Sequence, residues 1–296
     1  MKTVAFCCVS GIIFMIKHKG KGRFMRAVKH PGKCRLCGEL KELTPEHIPP
    51  KSAFNINNIT VLPFEEVCKT LTGADGRMPW DINGLKGKVQ QGGHKKYCLC
   101  KECNNNTGNW YMRAYTDFAK TVNAIIQIEH LLPGNTYSFT IKDLYPLRVF
   151  KAMMTMICDL NNDCLGDSNL RDFLMTKESN IIDTSKYSLY MYLVSPQAVR
   201  MSGISAQVHI DDPKNPVLVS EMSAYPIGFA MYLDKPKDYT PFGLNVDCFA
   251  DADYNTKCNV QFSGIPYLDI NSQFPIDFRS KDDIINCIVA NEESME

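Results

Sequence analysis

The chain has 296 residues, 45% of them hydrophobic and 22% charged, with 33 Lys and Arg against 32 Asp and Glu. That composition fits one large or two modest globular domains with a well-buried core, and it speaks against a disordered, collagenous or membrane-spanning protein. The net charge of +1 is a sum of unequal parts, about +11 over residues 1–150 and about −10 over residues 151–296, a split expected where a polyanion-binding part is joined to an acidic one.

Residues 1–33 carry eight Lys or Arg and no acid. Lys2 and the apolar residues 3–16 have the pattern of a signal peptide and are too short for a membrane span. No small-x-small cleavage site follows, only the basic run from Lys17 to Arg23. Residues 1–33 are therefore expected to be a flexible, dispensable basic extension, with Met25 as a second possible start and a cytoplasmic location.

Residues 34–108 are rich in Gly, Pro, Asn and Lys and lack a long periodic apolar run, which suits loops and hairpins pinned by a metal. From Trp110 to Leu132 apolar residues recur at helical spacing, with Pro133 and Gly134 as the stop. Further helices are expected over 147–160 and 169–175. Strands are expected over 188–194, 206–210, 217–219, 227–233 and 258–262, where β-branched and aromatic residues alternate with Pro, Gly, Asn and Asp turns. The expected boundary falls near residue 135, with an acidic, β-rich α+β domain over 136–296. The sequence shows no repeat, Walker loop, dinucleotide fingerprint or nucleophile elbow.

The thirteen cysteines are decided by spacing. The chain is too long to depend on disulfide staples, whereas Cys34–Cys37 and Cys100–Cys103 form two C-x-x-C pairs able to supply four thiolates to zinc in a reducing compartment. Cys98 competes through Cys98-x-Cys100, but C-x-x-C is the commoner knuckle spacing. The other cysteines read as small buried hydrophobes. Between the pairs lies Leu43-Thr44-Pro45-Glu46-His47-Ile48-Pro49-Pro50, and Asn104 follows the last cysteine. Glu46 and Asn104 suit a hard cation such as Mg²⁺ or Mn²⁺, which keeps waters for a phosphate substrate. Neutral His47 has an unperturbed pKa suited to accepting a proton from water. His18, His30, His130 and His209 are isolated and read as structural or solvated.

These residues together resemble the HNH, or His-Me finger, endonucleases, most closely the endonuclease VII-like arrangement. The resemblance covers roughly residues 34–112. It implies a zinc-stapled, treble-clef-like ββα-metal module over 34–135, with Cys34, Cys37, Cys100 and Cys103 on zinc, Glu46 and Asn104 on a catalytic divalent ion, and His47 as general base. Asn106 or Asn109 would take the third HNH position. The stretch between His47 and Cys100 is longer than that motif needs, so it must house an insertion. Lys88, His94, Lys95 and Lys96 are expected there on a basic loop facing nucleic acid, most readily DNA. The competing expectation is a non-catalytic zinc knuckle that binds nucleic acid or protein. The acidic half would face away from DNA, binding a protein or ligand or masking the basic surface, as would suit a mobile-element or defence setting.

Overall fold

The computed structural model describes residues 4–8, 12–15, 17–18, 29–69, 78–196, 199–209 and 212–293. In chain order, strands β1 (Val4–Cys8), β2 (Ile12–Met15), β3 (Lys17–His18), β4 (Pro31–Lys33), β5 (Leu40–His47) and β6 (Asn58–Val61) precede the short helix α1 (Phe64–Cys68). Strands β7 (Lys88–Gln90) and β8 (Lys95–Cys100) run into helix α2 (Lys101–Thr107), a π-helical turn at Gly108–Met112 and helix α3 (Arg113–Ile128). Next come β9 (Thr136–Leu144), α4 (Pro146–Leu160) and α5 (Ser168–Met175). The chain ends with β10 (Tyr187–Val194), β11 (Val199–His209), β12 (Asp212–Ala224), β13 (Ile227–Leu233), β14 (Leu244–Asn245), β15 (Cys258–Leu268) and α6 (Lys281–Glu293).

The architecture is α+β. A large sheet has the order β1-β11-β12-β13-β10-β15-β9, with β2 also on β11 and β14 on β10, and two three-stranded sheets have the orders β3-β6-β7 and β4-β5-β8. The last holds the cysteine pairs. The other houses the insertion between His47 and Cys100, pairing Ile59 with both Lys17 and Gln90. Among the described residues no helix is long and apolar enough to cross a membrane.

Two expectations change. The extension is not a free tail: β1 pairs along β11 from Val4 opposite His209 to Cys8 opposite Ser205, and β2 continues the edge from Ile12 opposite Ser202 to Met15 opposite Val199. Its apolar residues include Val4, Phe6, Ile12, Ile13 and Phe14, types that favour a pleated edge. Residues 19–28, with Met25 among them, lie outside the described residues. Nor does the core divide near residue 135. One hydrophobic cluster runs from Cys34, Leu36 and Leu99 through Tyr111 and Phe118 to Phe150, Met191, Phe229 and Tyr267.

Helix α4 is the centre of that core. Pro146 begins it at a position that needs no N–H, and every residue from Val149 to Leu160 is buried. Its three polar side chains there, Lys151, Thr155 and Asp159, recur every fourth residue and share one face. The Lys151 ammonium donates to the carbonyls of Phe173 and Thr176, both at 2.7 Å, and of Lys177 at 3.3 Å, capping the carboxyl end of α5. Thr155 donates to the Lys151 carbonyl at 2.7 Å.

The large sheet has a polar anchor of its own. Arg200 on β11 and Glu221 on β12 form a fully buried ion pair at 2.7 Å. Tyr192 reaches Glu221 from β10, donating at 2.5 Å across the intervening strand β13. That reach requires Gly228, which lies opposite both Tyr192 and Ser223: a Cβ there would stand 2.1 Å from the tyrosine ring. Arg200 also donates to the carbonyls of Ser272 and Asp277, and the Ile276 amide donates to Glu221, so the pair fastens the segment before α6 to the sheet.

Replacing Glu221 with Gln leaves the Arg200 charge buried without its counter-ion and should lower the unfolding free energy by about 3–5 kcal/mol in urea titrations. Lys151 gives a pH signature. Burial holds its pKa down, at about 7, below the roughly 10.4 of an unfolded lysine, so between those values the unfolded chain binds the extra proton and stability rises with pH. Relative to Lys151→Met, the wild type should gain stability on going from about pH 7 to about pH 10; a constant difference would show that Lys151 stays charged.

Candidate metal centre and adjoining polar cluster

The antiparallel pair β5–β8 aligns Leu43 with Cys100, Thr44 with Leu99, Pro45 with Tyr97, Glu46 with Lys96 and His47 with Lys95. The register shift between Thr44 and Pro45 leaves Cys98 as the extra residue of a bulge. α2 begins directly at Lys101, placing Cys103 on its first turn beside Cys100. The turn after β4 carries Cys34 and Cys37. The Sγ atoms of Cys34, Cys37, Cys100 and Cys103 all lie within 4.8 Å of one another. Tetrahedral zinc thiolate coordination sets sulfurs about 3.8 Å apart, so the cluster fits such an ion.

The thiols are already polarised toward ligation. Cys34 has its pKa lowered to about 4 by the Cys103 thiol and by the Cys100 amide, which donates to its sulfur at 3.3 Å. Sharing that proton drives the Cys103 pKa up, and burial raises Cys37. A divalent ion supplies the positive charge that lets four neighbouring thiolates coexist. Cys98 is outside the cluster: it is fully buried and its thiol faces the Lys96 carbonyl at 3.6 Å.

Successive residues of a strand face opposite ways, and β5 uses this to separate its two chemical groups. Thr44 and Glu46 face α2. The Asn104 amide donates to Thr44 Oγ1 at 3.0 Å, and its hydrogen bond to Glu46 partly offsets the burial that raises the Glu46 pKa to about 7. Both bonds use the amide NH₂, leaving the Asn104 oxygen free. His47 is half-buried on the other side. Desolvation, then Lys51 and Lys95, lower its pKa, and a backbone hydrogen bond to Gly92 opposes them. The neutral imidazole is thus favoured at neutral pH.

Asn55 shapes the His47 side. It donates to the carbonyls of Pro49 at 2.6 Å and His94 at 2.8 Å and accepts from the His94 amide at 2.7 Å. Gly93 passes so close, with φ of 91°, that a Cβ would lie 2.1 Å from the Asn55 carbonyl oxygen. The 3-10 turn Lys51–Ala53 carries Lys51 and rests on α3, Ser52 meeting Thr116 at 2.9 Å.

The basic residues expected on one open loop divide. Lys88 is exposed and Lys95 lies beside His47. His94 is 3% exposed, and its Nδ1 is 3.0 Å from Gln90 Oε1. Lys96 turns inward and donates to the Leu160 carbonyl at 3.2 Å. Asn106 and Asn109 do not lie three or four residues from Asn104, so helical spacing turns both away from its face, and Asn109 is exposed.

Sequence reasoning missed Arg35, Asp159 and the inward role of Lys96. Arg35 donates to the Asp159 carbonyl and Lys96 to that of Leu160, so two cations from the cysteine module cap the last carbonyls of α4. C-x-x-C spacing cannot reveal a partner more than a hundred residues away. No family model, curated protein or solved structure matches the chain.

Purified protein should contain stoichiometric zinc by elemental analysis. Cys103→Ser should lose the metal together with order in the β4-β5-β8 sheet and α2, seen as loss of their amide protection, because metal binding and local folding are coupled.

Proposed function

We propose that the chain is a metal-dependent endonuclease of the HNH type, hydrolysing phosphodiester bonds in nucleic acid, most readily DNA. The observation that carries this reading is His47: a histidine biased to its neutral form, tied to the backbone and flanked by Lys51 and Lys95 on a hairpin stapled by four cysteines. A neutral imidazole accepts a proton, and two lysines beside it attract a phosphate without sharing its chemistry.

In this reading zinc at Cys34, Cys37, Cys100 and Cys103 is structural. The Glu46 carboxylate and the free Asn104 oxygen suit Mg²⁺ or Mn²⁺, since Glu46 lies largely buried with its pKa raised and lacks a lysine or arginine hydrogen-bonded to it. Such an ion, when bound, supplies positive charge to the scissile phosphate and the leaving oxygen. His47 takes a proton from water as the water oxygen bonds to phosphorus and the bond from phosphorus to the 3′ oxygen breaks. The backbone hydrogen bond to Gly92 fixes the ring and leaves its second nitrogen for the water. Lys51 and Lys95 hold the phosphate against that nitrogen.

The test is cleavage of supercoiled, linear and single-stranded substrates with and without Mg²⁺. His47→Ala should lower the rate about 10²–10⁴-fold while zinc content and salt-dependent nucleic-acid binding stay at wild-type levels. Wild-type protein that binds nucleic acid but cleaves none of these substrates with Mg²⁺ or Mn²⁺ would establish the non-catalytic zinc-knuckle reading instead.

A further inference from the structure

The carboxyl end of α4 poses a physical problem. Asp159 is fully buried, and neither of its carboxylate oxygens accepts a hydrogen bond of ordinary geometry among the described residues. An ionised carboxylate left so is costly, and the other polar residues on its face of α4, Lys151 and Thr155, are both satisfied.

What surrounds Asp159 points to the missing partner. Its charged and titratable neighbours are Glu46, Cys98, Arg35 and Lys96. The Cys98 thiol is directed at the Lys96 carbonyl, the Arg35 guanidinium donates to the Asp159 backbone carbonyl, and the Lys96 ammonium donates to the Leu160 carbonyl. Neither cation is hydrogen-bonded to the carboxylate it adjoins, because each is engaged by a helix carbonyl. Asp159 therefore faces the Glu46 side of the β5–β8 hairpin with both oxygens free, next to the Glu46 carboxylate and the Asn104 amide oxygen.

We infer that Asp159 is a third oxygen donor to the divalent cation held by Glu46 and Asn104, supplied by the acidic half of the chain. The inference rests on the cation site proposed above and deepens it. Two carboxylates and an amide oxygen form a hard-donor set suited to Mg²⁺ or Mn²⁺, with the remaining positions left to water. The ion enters from the Glu46 side, which is only half-buried. Arg35 and Lys96 give the arrangement its selectivity. They balance the two carboxylates, so the loaded pocket is net positive and favours an anionic ligand on the ion's open side, as a phosphodiester would be.

The test is Mn²⁺ binding to the zinc-loaded full chain, followed by electron paramagnetic resonance and by calorimetry. Asp159→Asn should weaken Mn²⁺ binding at least tenfold and abolish the Mn²⁺-induced rise in Tm, with zinc content unchanged and a metal-free Tm no lower than wild type. Equal Mn²⁺ affinity in wild type and Asp159→Asn, with loss in Glu46→Gln, would overturn the role of Asp159 and leave the Glu46 site standing. Loss of Mn²⁺ binding in Asp159→Asn alongside a wild type that cleaves no nucleic acid would support the ligand and sink the nuclease reading. If Asp159→Asn does not fold, wild-type protein labelled with ¹³C at its aspartate carboxyls decides: Mg²⁺ should shift the Asp159 signal, and an unmoved signal overturns the inference.

Discussion

The whole structure depends on burying α4 from end to end. A helix surrounded by protein has no solvent for its polar side chains or its terminal carbonyls, so each must find a protein partner. Lys151 finds the carboxyl end of α5, and the last carbonyls of α4 find Arg35 and Lys96 from the cysteine module. The capping partners therefore tie together parts of the chain that share no local sequence logic. The one continuous hydrophobic core is the apolar side of the same arrangement.

This explains why a module rich in turns can be rigid at its chemistry. Residues 29–47 offer few large apolar groups, and the expected zinc site fixes only the turn after β4 and the start of α2. The remaining precision comes from the other half of the chain. Arg35, one residue after the first cysteine, and Lys96, opposite Glu46 in the ladder, are both held by α4. Displacement of that helix would move the strand carrying Glu46 and His47, so the acidic half acts as the foundation of the site and not as a separate appendage.

Much of this was legible in the residues. The pairing of Cys34 and Cys37 with Cys100 and Cys103 follows from spacing, and the helix over 147–160 and the strand over 227–233 follow from periodicity. β9 was missed although Tyr137, Phe139 and Ile141 alternate with polar residues, because Pro133 and Gly134 read as a stop with the next signal at the following helix. The N-terminal strands were missed for a different reason. An apolar run behind a lysine has the same composition whether it feeds a secretion channel or a sheet edge, and only β11 supplies the partner that distinguishes them. A helix spacing rule likewise cannot show that Asp159 meets the hairpin, since that contact is set by tertiary packing alone.

The charge split takes on a different meaning once the partners are known. Counted by halves, Arg35 and Lys96 belong to a basic surface and Asp159 to an acidic one. In the folded chain all three turn inward at a single junction, where the cations cap helix carbonyls and the carboxylate faces Glu46. Of the basic residues around the hairpin, Lys51, Lys88 and Lys95 are the ones left beside His47 or in solvent. Such a set suits the positioning of a few phosphates more than a broad electrostatic surface, because each phosphate contact adds its own increment of salt-dependent affinity. Selectivity then has to come from the shape around His47, built by Asn55 and Gly93, and from the junction beneath Glu46, where the two halves of the chain contribute opposite charges to one pocket.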